Sequence, residues 1–260
     1  MRNIILTGVN SFVGRNFIQK YNKSYYVNCL VRSNSKCPKH PNIKYYAIDF
    51  LNPVFDKRMF NNVFAVIHIL SIKYAYHSDI FKINVDFTKK LVEAALFYKV
   101  KKFVYISSET VQLPGIDNYT KSKKQAEKEI HIHKNYLILR PTTVYGKENN
   151  SDIGLLIKLS KRFPIIPIIG NGKQLIQPVS VEDVIKCIDS GLRNEISGIY
   201  LIAGKKYLKY RELINIIAKA LNKKIIVIYI PILISYLIAK LFSLLNIHFL
   251  QKSQIDNLNQ

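Results

Sequence analysis

The feature that most constrains the fold lies within the first 21 residues. A short apolar run, Asn3 to Thr7, enters the turn Thr7-Gly8-Val9-Asn10-Ser11-Phe12-Val13-Gly14, and from Phe12 to about Tyr21 the apolar spacing is that of a helix. Strand, glycine turn, helix is the opening of a βαβ unit. Further strand-like runs follow at Tyr25 to Val31, Ile43 to Ile48, Phe64 to Leu70, Lys102 to Ser107 and Tyr136 to Arg140, each bounded by polar or turn residues. Helical spacing occupies Asn84 to Tyr98 and Lys121 to Ile130. Strands separated by helix-length segments predict an α/β chain with a doubly wound parallel sheet, covered on both faces.

After Tyr145-Gly146 the pattern loosens. Gly170-Asn171-Gly172 reads as a turn, Val181 to Leu192 as a helix begun by Glu182-Asp183, and Tyr210 to Leu221 as another. We therefore expect a main domain over 1–147 and a smaller region over 148–260. Part of the latter returns to the sheet, and the rest closes over its carboxyl edge, where ligands bind in such folds. With 260 residues the chain is long enough for this arrangement.

Two constellations carry chemistry. In the first turn, glycines at 8 and 14 permit a tight bend and close helix-to-strand packing, and the helix start offers free N–H groups to a pyrophosphate. The alternative is a tight turn that holds nothing. In the second, Tyr119 and Lys123 stand four apart on one helix face. A neighbouring ammonium stabilises a phenolate and lowers a pKa that starts at about 10. Ser108, at the end of a strand, is placed to hydrogen-bond the same substrate oxygen while its carbon gives or accepts a hydride. The alternative there is an exposed pair in a lysine-rich helix.

The order of motifs resembles the extended short-chain dehydrogenase/reductase family, in its NAD-dependent epimerase/dehydratase group. The turn is similar to T-G-x-x-G-x-x-G, with Ser11 in place of the central glycine. Asp49-Phe50 looks like the acidic position at the adenine, and Val66-Ile67-His68-Ile69-Leu70 like the strand beneath the cofactor. Ile83-Asn84-Val85 with Thr88 matches a helix motif, Phe103 to Ser108 the strand ending in the catalytic serine, and Tyr119 to Lys123 the Y-x-x-x-K pair. Leu139-Arg140-Pro141, Val144-Tyr145-Gly146 and Gln177 to Val184 complete the series over roughly the first 220 residues. The stretch between Ser108 and Tyr119 is short for the family.

The resemblance implies a Rossmann-like fold, NAD or NADP as cofactor, a nucleotide-sugar substrate and a homodimer. It implies Ser108, Tyr119 and Lys123 as catalytic residues, Lys123 also holding the ribose. Cofactor contacts would come from Gly8, Asn10, Ser11, Phe12, Val13, Gly14, Arg32, Asp49, Phe50, Leu70, Asn84, Tyr119, Lys123 and Pro141. Arg32 stands where an NAD-preferring protein carries a carboxylate for the ribose 2′-hydroxyl, and with Lys36 it would suit a 2′-phosphate; a plain surface cation is the alternative. Ser108 is followed by Glu109-Thr110-Val111, one carboxylate instead of the acidic pair of family dehydratases. A 4-epimerase or 4-keto reductase is therefore favoured. Two other readings stay open: a non-catalytic dinucleotide-binding scaffold subunit, and a reductase of a non-sugar ketone.

The formal charge of +22 would ordinarily raise nucleic acid as a partner. The lysines are spread through the chain, however, and no arginine-rich arm stands apart, so no nucleic-acid role is expected. Cys29, Cys37 and Cys187 form no C-x-x-C pair, and the apolar start is too short for a signal peptide; a cytoplasmic protein fits both. His131 and His133 lack partners at ligand spacing and are expected at the surface, with no metal site. The apolar stretch Ile225 to Leu250, broken by Pro231 and Lys240, falls short of the roughly 20 residues that span a bilayer. A buried or interfacial helix is expected, with peripheral membrane contact through 225–250.

Overall fold

The structure, a computed structural model, describes residues 1–33, 40–73, 77–114, 117–147 and 152–234. In chain order the first half runs β1 (Arg2–Thr7), α1 (Phe12–Tyr21), β2 (Tyr25–Val31), β3 (Ile43–Ala47), α2 (Lys57–Phe60), β4 (Val63–His68), α3 (His77–Phe81), α4 (Phe87–Phe97), β5 (Lys102–Ile106), α5 (Asn118–Ile130) and β6 (Tyr136–Pro141). There follow β7 (Thr143–Tyr145), α6 (Asp152–Arg162), β8 (Ile165–Ile169), β9 (Leu175–Ile176), β10 (Pro178–Ser180), α7 (Val181–Arg193), β11 (Gly198–Ile202), β12 (Leu208–Lys209), α8 (Tyr210–Ala220) and β13 (Ile226–Ile230). They form two compact units, Met1–Thr142 with Ser180–Ile202, and Thr143–Val179 with Ala203–Gln260.

The first unit is built on a seven-stranded parallel sheet in the order β11-β6-β5-β4-β1-β2-β3. Its central strands are apolar on both faces, as a sheet covered twice requires: Ile4, Ile5, Leu6, Val66, Ile67, Phe103 and Val104 are fully buried. One face carries Phe87, Leu91, Ala126 and Ile130 from α4 and α5, packed on Ile5, Val66, Phe103, Tyr105 and Ile138. On the other, α7 lies against β6, where a side chain at Gly191 would overlap Leu137. The strand order reverses between β1 and β4, the switch point at which ligands bind beyond the carboxyl ends of such sheets.

Between α3 and α4 one π-helical turn, Lys82–Asp86, sits in otherwise continuous helix. Such turns are rare and are frequent at functional sites. The spacing predicted only a helix beginning near Asn84.

The second unit pairs β8 with β13 in parallel and β9 with β12 in antiparallel, while β7 pairs with β10. Its core is Ile153 and Leu156 of α6, Ile166 and Ile168 of β8, and Leu213, Ile214 and Ile217 of α8. Here the helix expected from Ile225 is not formed at its start. Ile226–Ile230 is a strand, because its β-branched run loses little freedom in extended backbone and finds in Ile165–Ile169 a partner of the same kind. The rest of that stretch, from 235 on, lies outside the described residues. Among the described residues no helix is long and apolar enough to cross a membrane.

Candidate functional site

The site residues of the first unit gather at the carboxyl ends of β1, β4, β5 and β6. At the first turn, Gly8 has φ +74°, and a Cβ there would come within 2.7 Å of the Leu70 nitrogen. A Cβ at Gly14 would overlap the Gly8 carbonyl. Both positions therefore exclude any side chain, which leaves bare backbone beside the helix start. Ser11 caps α1, its hydroxyl accepting from Gly14 N at 3.0 Å. The amides of Phe12 and Val13, in the first turn, have no acceptor within the helix. A serine at the central glycine position thus has a local reason: it fixes the helix start whose amides would meet an anion.

Behind this turn runs a buried hydrogen-bond chain. Leu70 N donates to Thr7 Oγ1 at 3.2 Å, Thr7 Oγ1 lies 2.6 Å from His68 Nδ1, His68 Nε2 lies 2.8 Å from Thr88 Oγ1, and Thr88 donates to the Asn84 carbonyl at 2.8 Å. The directions follow from the donor count. Thr88 spends its one proton on Asn84 O, so it accepts from His68 Nε2–H; Nδ1 then accepts from Thr7, whose oxygen accepts from Leu70 N. A neutral imidazole satisfies every member. Full burial, helped by the charge of Lys123, pushes the ring pKa down to about 3. The chain ties β1 to β4 and α4 and fixes Leu70 beside Gly8.

Asn84, in the π-helical turn, makes a second tie. Its side chain accepts from Ile72 N at 2.9 Å and donates to Ile72 O at 2.9 Å and to Ser122 Oγ at 3.0 Å. The loop after β4 is thereby joined to α5. That helix begins earlier than the spacing implied, because Asp117 caps it: one carboxylate oxygen accepts from Thr120 N and the other from Thr120 Oγ1, both at 2.8 Å. Tyr119 consequently stands in the first turn, where the helix dipole favours an anion.

Lys123, one turn on, is 1% exposed. Its ammonium donates to the Ile106 carbonyl at 2.7 Å, at the end of β5, and lies 4.2 Å from the centre of the Tyr105 ring. Burial pushes its pKa down to about 7, with the Glu127 carboxylate pulling the other way. An ammonium so poorly solvated gains from any negative charge nearby. Glu127, in turn, is clamped by Arg140, with Nε–Oε1 at 3.0 Å and Nη2–Oε2 at 2.6 Å. Ser108 follows β5 and caps a short 3₁₀ turn, Glu109–Gln112. Its oxygen accepts from Thr110 N at 3.3 Å and from Thr110 Oγ1 at 3.0 Å, and neither bond uses the serine's own proton. Pro141, at the end of β6, is buried.

Arg32 and Asp49 lie beyond β2 and β3, both exposed, with the Arg32 guanidinium 5.9 Å from the centre of the buried Phe50 ring. Asp49 accepts from Leu51 N at 2.9 Å, and that bond holds its carboxyl below the usual range. Asn10 is exposed. Lys36 lies outside the described residues. One expectation fails: His133 is not at the surface but buried, its Nε2 3.0 Å from the Val100 carbonyl, because the turn after α5 folds it back onto the sheet. The ties made by the side chains of Ser122 and Glu127, and by the Thr7 hydroxyl, join elements that no local pattern connects. Asp117 gives a local signal, three residues before Thr120, the spacing of a helix cap.

Known proteins bear on this arrangement. The model of the NAD dependent epimerase/dehydratase family matches residues 4–203. The chain belongs to that family. Within the NAD dependent epimerase/dehydratase family it is 24% identical over 204 residues to ceramide reductase of Caulobacter vibrioides (strain NA1000 / CB15N), covering 75% of this chain and 62% of that one. It is 22% identical over 259 residues to N-acetyl-alpha-D-glucosaminyl-diphospho-ditrans,octacis-undecaprenol 4-epimerase of Escherichia coli O157:H7, with 88% and 75% covered. The chain thus spans about three fifths of the length of the first relative. Its fold is that of UDP-glucuronic acid 4-epimerase from Bacillus cereus, solved in complex with NAD, at TM-score 0.77 and 21% identity over 88% of this chain and 86% of that one.

Proposed function

We propose that the chain is an NAD(P)-dependent epimerase or 4-keto reductase acting on a nucleotide sugar, with Tyr119 as acid/base. The observation that carries this reading is the Tyr119–Lys123 pair. Tyr119 stands in the capped first turn of α5, and Lys123, one turn on, has its ammonium buried and pinned to the strand that leads into Ser108. A scaffold would need none of these three groups.

The residues present fit a dinucleotide, since Gly8 and Gly14 let the turn pack closely against Leu70 and against itself, which sets the free α1 amides at the carboxyl ends of the sheet, where a pyrophosphate would meet them. Asn10, Ser11, Phe12 and Val13 would line that end, Asp49 and Phe50 the adenine, and Leu70, Asn84 and Pro141 the remainder. When bound, the group supplies reversible hydride transfer. Arg32, exposed beside Phe50, is assigned to a ribose 2′-phosphate, which favours NADP. Ser108 turns its unused proton to the substrate oxygen and orients it. Tyr119 removes or returns the proton on that oxygen. Lys123 stabilises the phenolate form of Tyr119 by its charge and holds the ribose. We also propose that the chain works as a homodimer, as the family resemblance implies.

A reductase of a lipid-borne ketone is the second reading, favoured by the likeness to ceramide reductase. Incubating the protein with each dinucleotide and a panel of UDP-sugars, and with long-chain ketones in parallel, separates them. We expect hydride exchange or a 4-epimer on a UDP-sugar, with NADP binding at least as tightly as NAD. Turnover of lipid ketones alone would select the second reading, and dinucleotide binding with no turnover of either substrate would select the scaffold.

A further inference from the structure

In the second unit, the β8–β13 pair shows one face to the α6–α8 core and turns the other outward. Ile165 lies opposite Ile226, Pro167 opposite Ile228 and Ile169 opposite Ile230, and these six alternate with Ile166, Ile168 and Val227, which pack in the core, and with Tyr229, which is 47% exposed at its edge. The outward face therefore carries no polar side chain. Ile165, Ile226 and Ile228 are 46%, 55% and 49% exposed, and just past the strand Leu233 is 75% exposed. A water-facing sheet surface ordinarily alternates to polar residues, and contiguous apolar surface marks a site of interaction.

The charge beside this apolar face narrows the choice of occupant. The two strands start beside Lys161 and Arg162 on one side and Lys223 and Lys224 on the other. The described residues of this unit hold twelve Lys and Arg against only Asp152 and Glu212. A second copy of the chain would bring an equal cationic rim against this one, and like charges oppose such a contact. An anionic surface with an apolar interior gains from both features.

We propose that this face docks on the anionic surface of a membrane, with Ile226, Ile228 and Leu233 entering the headgroup boundary and Arg162 and Lys224 meeting lipid phosphates. The docking is independent of the nucleotide-sugar reading, because vesicle binding and turnover are separate measurements and each can fail alone.

The test is co-sedimentation of the full chain with vesicles of phosphatidylcholine, with and without phosphatidylglycerol. We expect the protein to pellet with the anionic vesicles at low salt and to be released at high salt or by pure phosphatidylcholine. Ile226→Asp with Ile228→Asp should lower vesicle binding by about tenfold or more while leaving the thermal midpoint unchanged, and Lys224→Glu should weaken it by a factor on the order of ten. Absence of binding to anionic vesicles overturns the proposal. So does a large fall in thermal midpoint for the double variant, which would mean that the face is covered within the chain. A dimer that the double variant dissolves, or binding to a DNA oligonucleotide in place of vesicles, overturns it as well.

Discussion

His68 is an ionisable side chain kept neutral by what surrounds it. Both ring nitrogens are satisfied by threonine hydroxyls, and protonation of Nδ1 would set a donor against the Thr7 proton that it now accepts. The consequence for stability has a definite sign. The folded ring titrates at about 3 and the unfolded one near 6.5. Between those values the unfolded state binds the extra proton, so the contribution of His68 is complete above 6.5 and is lost as pH falls toward 3. Lys123 acts with the same sign at higher pH, between about 7 and its unfolded 10.5, while carboxyls such as Asp49 titrate at the acid end, so the part due to His68 is the part its substitution removes. Thermal melts of the dinucleotide-free protein should show a midpoint that falls with acidification below pH 6.5. His68→Gln should melt lower at neutral pH and show a shallower acid slope. An unchanged slope in the variant would mean that His68 is not the group being titrated.

Helix α5 shows what an element contributes to a site. Its start is set by Asp117, and that start decides where in the first turn Tyr119 stands. Asp117→Ala should destabilise the protein by about 1 kcal/mol, the usual worth of a helix cap. It should also lower kcat more than it weakens dinucleotide binding, whereas Asp117→Asn, which keeps the cap, should preserve both. Equal losses in kcat and binding would show that the cap serves stability alone. Element by element, the sequence discloses what repeats with a period. The first six strands of the large sheet and the helices that follow the glycine turn and carry Tyr119 and Lys123 stand out because their burial alternates or recurs along continuous runs. The π-helical turn at Lys82–Asp86 does not, since five residues are too few to show a period of their own. Strands of two or three residues, such as Thr143–Tyr145 and Leu175–Ile176, are too short to show a period. Ile226–Ile230 is the opposite case: a strongly apolar run whose type depends on its partner strand, which no local pattern reveals. For the candidate site, Tyr119 and Lys123 are proposed from their spacing and Ser108 from its place at the end of a strand and from the family resemblance, while Ser122 and Glu127 act through contacts between elements distant in sequence.

At the scale of the molecule, one unit supplies the seven-stranded sheet and every residue assigned to chemistry, and the other holds a small core of its own with the apolar, cation-rimmed strand pair. The two can be tested apart, because the vesicle variants lie wholly in the second unit and the catalytic variants wholly in the first. The central claim is that Tyr119 carries the proton in a hydride-transfer reaction. Tyr119→Phe keeps the ring and its packing and removes only the exchangeable hydrogen, so it addresses that claim with the least disturbance. Steady-state turnover of wild type and Tyr119→Phe on the best UDP-sugar, measured beside dinucleotide affinity and thermal midpoint, decides it. The expected result is a loss of kcat on the order of 10² to 10⁴, the usual contribution of positioned acid/base catalysis, with affinity and midpoint unchanged. Undiminished turnover in the variant, with dinucleotide still bound, would contradict the assignment of Tyr119.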